Sequence, residues 1–273
     1  MRVVIKDSYH AACCFVADYI IARINAFVPD KKKHFVLGLP TGSTPLGVYE
    51  CLIEHYKKGT VSFKDVVTFN MDEYVGLDSK HEQSYHYFMW ENFFKHIDIQ
   101  QEHVHILNGR ATDVKQECDN YEKAILENGG IDLFLGGVGA DGHIAFNEPG
   151  TSLASRTGCR QLAYSTIQMN SRFFNNDLSL VPTEALTVGV QTVMDANEVI
   201  IMATGQAKAQ AVYHAVEDGV NHLWTVSALQ MHERGILVCD EDACDELKFG
   251  TVKYFKRLES YRSAKNKGSI YFE

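Results

Sequence analysis

The sequence predicts an α/β fold, a mostly parallel, doubly wound sheet with helices on both faces. Short apolar, β-branched runs alternate with amphipathic stretches of helical period. Those runs are continuously apolar, as strands covered on both faces are. No linker rich in Pro, Gly or Ser divides the 273 residues, so residues 1–262 are read as one domain and 263–273 as a loosely held polar tail.

Val3–Ile5 reads as the first strand. Ala11–Phe27 follows as a helix, with Phe15, Tyr19, Ile20, Ile24 and Phe27 at helical spacing and Pro29 closing it. His34–Leu39 is a strand running into Pro40-Thr41-Gly42-Ser43-Thr44-Pro45, and the next helix carries Leu46, Tyr49, Leu52, Ile53 and Tyr56 to a stop at Gly59. Val66–Phe69 is a strand, Ser84–His96 a helix, His103–Leu107 a strand and Asp113–Asn128 a helix. Ile131–Leu135 is a buried strand that breaks into glycines. Ser152–Asp177 is polar and aperiodic, and is read as a lid reaching to about residue 182. Ala185–Val190 and Glu198–Ala203 are strands, Gln206–Asp218 a helix, Ile236–Cys239 the last strand and Phe249–Tyr261 the last helix.

A net charge of −9 argues against nucleic acid or an anionic membrane as partner. No apolar run approaches the roughly 18 residues that span a bilayer. The start MRVVIKDSYH carries Lys6 and Asp7 after three apolar residues, unlike a secretory signal. Seven cysteines without a C-x-x-C read as reduced thiols in a cytoplasmic protein.

In a doubly wound sheet, ligands sit beyond the carboxyl ends of strands, and four strand ends carry chemistry. After Leu135 comes Gly137-Val138-Gly139-Ala140-Asp141-Gly142, a formal match to the dinucleotide pattern G-x-G-x-x-G. That pattern needs a helix at its third glycine and an acid about 20 residues on. Pro149-Gly150 forbids the first, and Gly158, Cys159 and Arg160 stand in place of the second. What remains is a glycine turn presenting Asp141, His143 and Glu148, residue types suited to proton transfer.

Gly42, Ser43 and Thr44 precede a helix in which Pro45 suits the first position and Thr44 the cap. Free backbone N–H groups and hydroxyls there would hold a phosphate, and the lysine of a nucleotide P-loop is absent. Lys208 falls in the first turn of the helix after Gly205, where the macrodipole disfavours a cation unless an anion is bound. Asp72 and Glu73 follow a buried strand, where partial burial would raise a carboxyl into the range of a base for a carbon acid. His103 and His105 have the spacing of two metal ligands but lack a third, and no metal site is expected.

Four segments, LGLPTGSTPLGVY (Leu37–Tyr49), FNMDEYVGL (Phe69–Leu77), GGVGADGHIAFNEPGTSLASRT (Gly136–Thr157) and MATGQAKA (Met202–Ala209), together resemble the glucosamine-6-phosphate deaminase family in order and spacing. The resemblance covers roughly residues 1–260. It implies a modified Rossmann-like fold and an aldose–ketose isomerisation coupled to deamination of a small phosphosugar, with no metal or organic cofactor. It implies that His143 opens the pyranose ring with Asp141 and Glu148, and that Asp72 removes the C2 proton. Gly42, Ser43, Thr44, Arg172 and Lys208 match positions that hold the phosphate or line its pocket. A homo-oligomer, commonly a hexamer, is implied as well.

Allosteric bacterial members of that family, activated by N-acetylglucosamine 6-phosphate, carry Arg-x-Lys after Ser-Arg-Thr. Here Gly158 replaces the first cation and Arg160 keeps the second, so only Ser152, Arg160 and Tyr254 stand as a possible remnant of that site. Two other functions could use the same pocket. A 6-phosphogluconolactonase-like hydrolase needs no carbon-acid base, which Asp72 counts against. A non-catalytic sugar-phosphate sensor would not need Asp72, Asp141, His143 and Glu148 together.

Overall fold

The computed structural model describes residues 1–28 and 33–265. Pro29, expected to close the first helix, and residues 266–273 of the expected tail lie outside the described residues. In chain order the regular elements begin with β1 (Arg2–Lys6), α1 (Tyr9–Ala26), β2 (Phe35–Leu39), α2 (Leu46–Lys57), β3 (Val66–Asn70) and β4 (Asp72–Tyr74). They continue with α3 (Tyr85–Asn92), β5 (Val104–His105), α4 (Val114–Glu127), β6 (Leu133–Gly137), β7 (Gly158–Gln161) and α5 (Tyr164–Asn170). The last are β8 (Glu184–Thr187), α6 (Val190–Met194), β9 (Glu198–Ala203), α7 (Ala209–Val216), β10 (Gly235–Asp240) and α8 (Phe249–Lys265).

Seven strands form one sheet in the order β1-β10-β9-β6-β2-β3-β5, and every pairing in it is parallel. From β2 the chain steps outward through β3 to β5, then returns to the other side of β2 as β6 and proceeds outward through β9 and β10. The order therefore reverses between β2 and β6, and a crevice opens beyond the carboxyl ends of those two strands. β2, β3, β9 and β10 are buried at every position, which explains their largely apolar character; Thr68, Asn70, Glu198 and Asp240 are the polar residues buried with them. Two apolar clusters cover the two faces, one built on Phe69, Phe134, Val199 and Leu237, the other on Leu37, Leu135, Ile200 and Val238. Within β6, Phe134 and Leu135 fall in opposite clusters, as the two-residue pleat requires.

Helix entries follow local capping rules in three places, where Ser8, Ser84 and Asp113 accept backbone N–H groups of α1, α3 and α4. At α2 the expectation is corrected. Pro45 occupies the cap position with no side-chain cap bond, and Leu46 is the first helical residue. The Tyr9 hydroxyl from α1 takes the Gly47 N–H at 3.0 Å instead. Thr44 is thereby left out of the capping role.

A second, antiparallel sheet, ordered β4-β8-β7, departs from the expected pattern. Residues 185–190, expected as one strand, divide into β8 and the start of α6. β4 begins two residues past the end of β3, and Val188 N–H bonds Met71 O at 2.8 Å, which ties the small sheet to the carboxyl end of β3. Residues 152–182, expected as a lid, contain β7, α5 and 3-10 turns at Ser171–Phe173 and Leu178–Leu180. Leu162 and Phe174 of this segment join Tyr74, Phe146 and Ala185 in a third apolar cluster.

At the switch point, a Cβ built on Gly38 of β2 would stand 2.4 Å from Phe134 Cδ1, and the Phe134 ring is fully buried. Gly38→Ala is expected to destabilise the protein by about 1–3 kcal/mol through overpacking, read as a lower urea midpoint at unchanged slope. An unchanged midpoint would show that Phe134 can move aside.

Candidate active site

A cavity of about 390 Å³ fills the crevice at the switch point. Its wall draws on residues 41–44 after β2, on Met71 and Asp72 after β3, on Gly137, Gly139, Asp141 and His143 after β6, on Lys208 after β9, and on Arg172 and Phe173. The first four of these segments meet there because each leaves the parallel sheet at a strand's carboxyl end.

Adjacent residues on a strand face opposite ways, and β4 uses this to give two neighbouring carboxylates different environments. Glu73 turns to the start of α3. Its Oε1 accepts the N–H groups of Tyr74 and Tyr85, both at 2.9 Å, and its Oε2 accepts that of His86 at 3.0 Å. Asp72 lines the cavity wall, and its Oδ1 is buried without a hydrogen-bond partner. Burial pushes the Asp72 carboxyl up to about 8, and the neighbouring Glu73 charge adds to the effect.

After β6 the chain forms the closed turn that its glycines suggest. Gly139 N–H bonds His143 O at 2.9 Å and Gly142 N–H bonds Gly139 O at 3.0 Å. The turn brings His143 Nδ1 to 2.7 Å from Asp141 Oδ1 and 3.8 Å from Glu148 Oε2. The Asp141 contact is close but lies off the ring N–H direction, so Nδ1 makes no aligned hydrogen bond. Burial alone would raise the Asp141 carboxyl, but the His143 side chain outweighs it and holds the group below the usual range. Gly139 is required sterically, since a Cβ there would stand 2.5 Å from His143 Cε1 and 2.6 Å from Asp141 Oδ1.

Glu148 is not on the cavity wall and reaches the site through His143. Its Oε1 accepts the Ala163 N–H at 3.1 Å and the Thr166 hydroxyl at 2.7 Å. Its Oε2 is buried with no hydrogen-bond partner. Asp141, His143 and Glu148 each offer one ligand atom within 4.8 Å of the others, so the same set could hold a proton relay or a cation. His103 and His105 do not converge in this way, since His105 stacks on Phe69 at 4.4 Å and His103 packs at a tilt against His34 at 4.6 Å.

The same cavity wall carries two cations, Arg172 and Lys208. Gly42 (φ 93°) takes the left-handed conformation that glycine adopts without strain and turns the chain so that Ser43 and Thr44 border the cavity ahead of α2. Lys208 ends a 3-10 turn (Gln206–Lys208) that precedes α7. Burial lowers the Lys208 ammonium below the usual lysine range, Asp141 opposes the shift, and Arg172 adds repulsion. Two cations that repel across a cavity beside a helix N-terminus suit a polyvalent anion.

Ser152, Arg160 and Tyr254 are absent from the cavity wall. Ser152 Oγ accepts the Ala154 N–H, the Arg160 guanidinium bonds the carbonyls of Cys159 and Arg156, and Tyr254 lies exposed on α8. The Arg160 guanidinium occupies the space that a side chain at Gly158 would enter, 2.6 Å from a Cβ there. Sequence reasoning missed Tyr85, whose ring forms cavity wall and stacks on Phe146 at 6.2 Å, and Thr166. Neither carries a local signal, because both enter the site through tertiary packing.

Residues 8–237 match the model of the glucosamine-6-phosphate isomerases/6-phosphogluconolactonase family. Glucosamine-6-phosphate deaminase of Phocaeicola vulgatus is 61% identical over 259 residues, spanning 95% of this chain and 98% of the relative. Glucosamine-6-phosphate deaminase 2 of Bos taurus is 62% identical over 258 residues, 94% of each chain. Among solved structures, a monomeric glucosamine-6-phosphate deaminase superposes with a TM-score of 0.85 at 37% identity, covering 90% of this chain and 100% of that one. The 6-phosphogluconolactonase of Trypanosoma brucei shares the fold, with a TM-score of 0.72 at 17% identity over 90% of this chain and 98% of that one. The chain belongs to the glucosamine-6-phosphate isomerase/6-phosphogluconolactonase family.

Proposed function

We propose that this chain is a glucosamine-6-phosphate deaminase that converts D-glucosamine 6-phosphate and water to D-fructose 6-phosphate and ammonia. The observation that carries the reading is Asp72, a buried carboxyl with an unpartnered oxygen on the wall of the cavity that holds His143. Ring opening moves a proton from the C1 hydroxyl to the ring oxygen, a task for His143 oriented by Asp141 and Glu148. Asp72, in its carboxylate form, then takes the proton from C2, giving an enolamine. Reprotonation at C1 leaves an imine at C2, and water replaces it with a carbonyl as ammonia departs. Gly42, Ser43, Thr44, Arg172 and Lys208 hold the 6-phosphate, and lid residues 152–182 close over the sugar. A lactonase would hydrolyse an ester without a carbon-acid base, and a sensor would need no base at all.

A cytoplasmic location fits seven free thiols, and among the described residues no helix is long and apolar enough to cross a membrane. A homo-oligomer, hexameric as the family resemblance implies, would cover exposed Phe249, Tyr254 and Tyr261 on α8. The retained Arg160 is folded onto backbone carbonyls and lacks a second cation at position 158, so activation by N-acetylglucosamine 6-phosphate is not part of the proposal.

Coupled detection of ammonia and fructose 6-phosphate tests the activity, and Asp72→Asn should lower turnover by about 10²–10⁴. Near wild-type turnover in that variant would remove Asp72 from the base role. The same substitution should raise stability at neutral pH. The Asp72 carboxyl rises from 3.8 to about 8 on folding, so across that window the folded state keeps a proton that the unfolded state has released. Wild-type stability therefore falls relative to Asp72→Asn as pH climbs from 3.8 to about 8. Thermal melts at both ends of the window measure the gap, and a gap that does not widen with pH would show that Asp72 is not held protonated. Sedimentation velocity should give several times the chain mass of 30.7 kDa, and a single-chain mass would overturn the oligomer.

A further inference from the structure

We infer that Thr166, on the lid helix α5, is a positioning residue for Glu148 and mechanically couples the lid to the ring-opening group. The inference rests on the deaminase reading above. Helix α5 has Ala163 at its cap position, with no side-chain cap of its own. Glu148 instead meets the start of the helix from outside it. One of its oxygens, Oε1, takes both the Ala163 N–H at 3.1 Å and the Thr166 hydroxyl at 2.7 Å. The other, Oε2, is buried without a hydrogen bond and lies 3.8 Å from His143 Nδ1. A carboxylate is planar, so tethering one oxygen at two points sets where the second can be.

Thr166 is itself buried, although Tyr164 and Met169 on the same short helix are exposed. The hydroxyl thus sits in a shielded position where its hydrogen bond to a charged group is stronger than at the surface. The same lid brings Arg172 to the cavity wall. A phosphate that draws Arg172 inward acts on the lid segment whose helix holds Glu148. Loss of the Thr166 hydroxyl would leave Glu148 free to turn away from His143 while Ser43, Thr44, Arg172 and Lys208 remain in place. The defect should therefore fall on the chemical step and leave phosphate binding nearly intact.

The test compares Thr166→Val, which keeps the shape and removes the hydroxyl, with Thr166→Ser, which keeps the hydroxyl. Initial rates of ammonia release from glucosamine 6-phosphate would be measured for both and for the wild type, with thermal melts confirming that each variant is folded. Thr166→Val is expected to lose about tenfold or more in kcat with KM changed less than about threefold, the pattern of an interaction used in the transition state. Thr166→Ser is expected to recover kcat to within about threefold of the wild type. Equal loss in both variants, a rise in KM at unchanged kcat, or full activity in Thr166→Val would each overturn the coupling. If Thr166→Val does not fold, the serine variant decides, and a kcat loss above about threefold overturns the inference. A wild-type chain that releases no ammonia would instead sink the deaminase reading, so the two failures are distinct.

Discussion

The site depends on how closely β2 and β6 approach at the centre of the sheet. They register through Leu37 with Leu133 and Gly38 with Phe134, and the absence of a side chain at Gly38 lets the Phe134 ring lie against the backbone of β2. The loop that presents Ser43 and Thr44 hangs from one of these strands, and the turn that presents Asp141 and His143 hangs from the other. Since protein interiors are close-packed, a shift at this contact would pass to both loops at once. The chain's reversal at the same place leaves no strand crossover to fill the crevice, and that space becomes the cavity.

Within the cavity, electrostatic discomfort is distributed deliberately. On its wall the Asp72 carboxyl is buried without a partner for Oδ1 and pushed up to about 8. On the same wall burial weakens the hold of Lys208 on its proton, and Arg172 adds repulsion. A cation or hydrogen-bond donor at Asp72 and an anion at Lys208 would each relieve the local cost. Glu73, one residue from Asp72, shows the alternative, since three backbone N–H groups satisfy it. Pleat direction alone separates the two fates.

The central sheet was legible because its strands are largely apolar and the helices between them carry apolar residues at helical spacing, as Phe15, Tyr19 and Ile20 do in α1. The small antiparallel sheet was not. Asp72–Tyr74 and Gly158–Gln161 are three and four residues long and mostly polar, so neither period nor composition marks them as strands. The residues that the motifs single out, from Gly42 to Lys208, do converge on one cavity, with Glu148 set behind His143 and the Ser152, Arg160 and Tyr254 set elsewhere. Contacts supplied from a distant element left no trace in the local sequence. Tyr9 capping α2 and Thr166 holding Glu148 are of that kind.

The glycine turn after β6 carries a lesson about convergence. In dinucleotide-binding folds, glycines at this spacing let a pyrophosphate approach the backbone. Here the middle glycine, Gly139, admits the protein's own imidazole and carboxylate, which stand where its Cβ would be. Two unrelated chemistries arrive at the same string of letters because both need a strand end stripped of side chains. A glycine pattern at such a place therefore reports crowding, and only the object doing the crowding tells a nucleotide site from a proton relay.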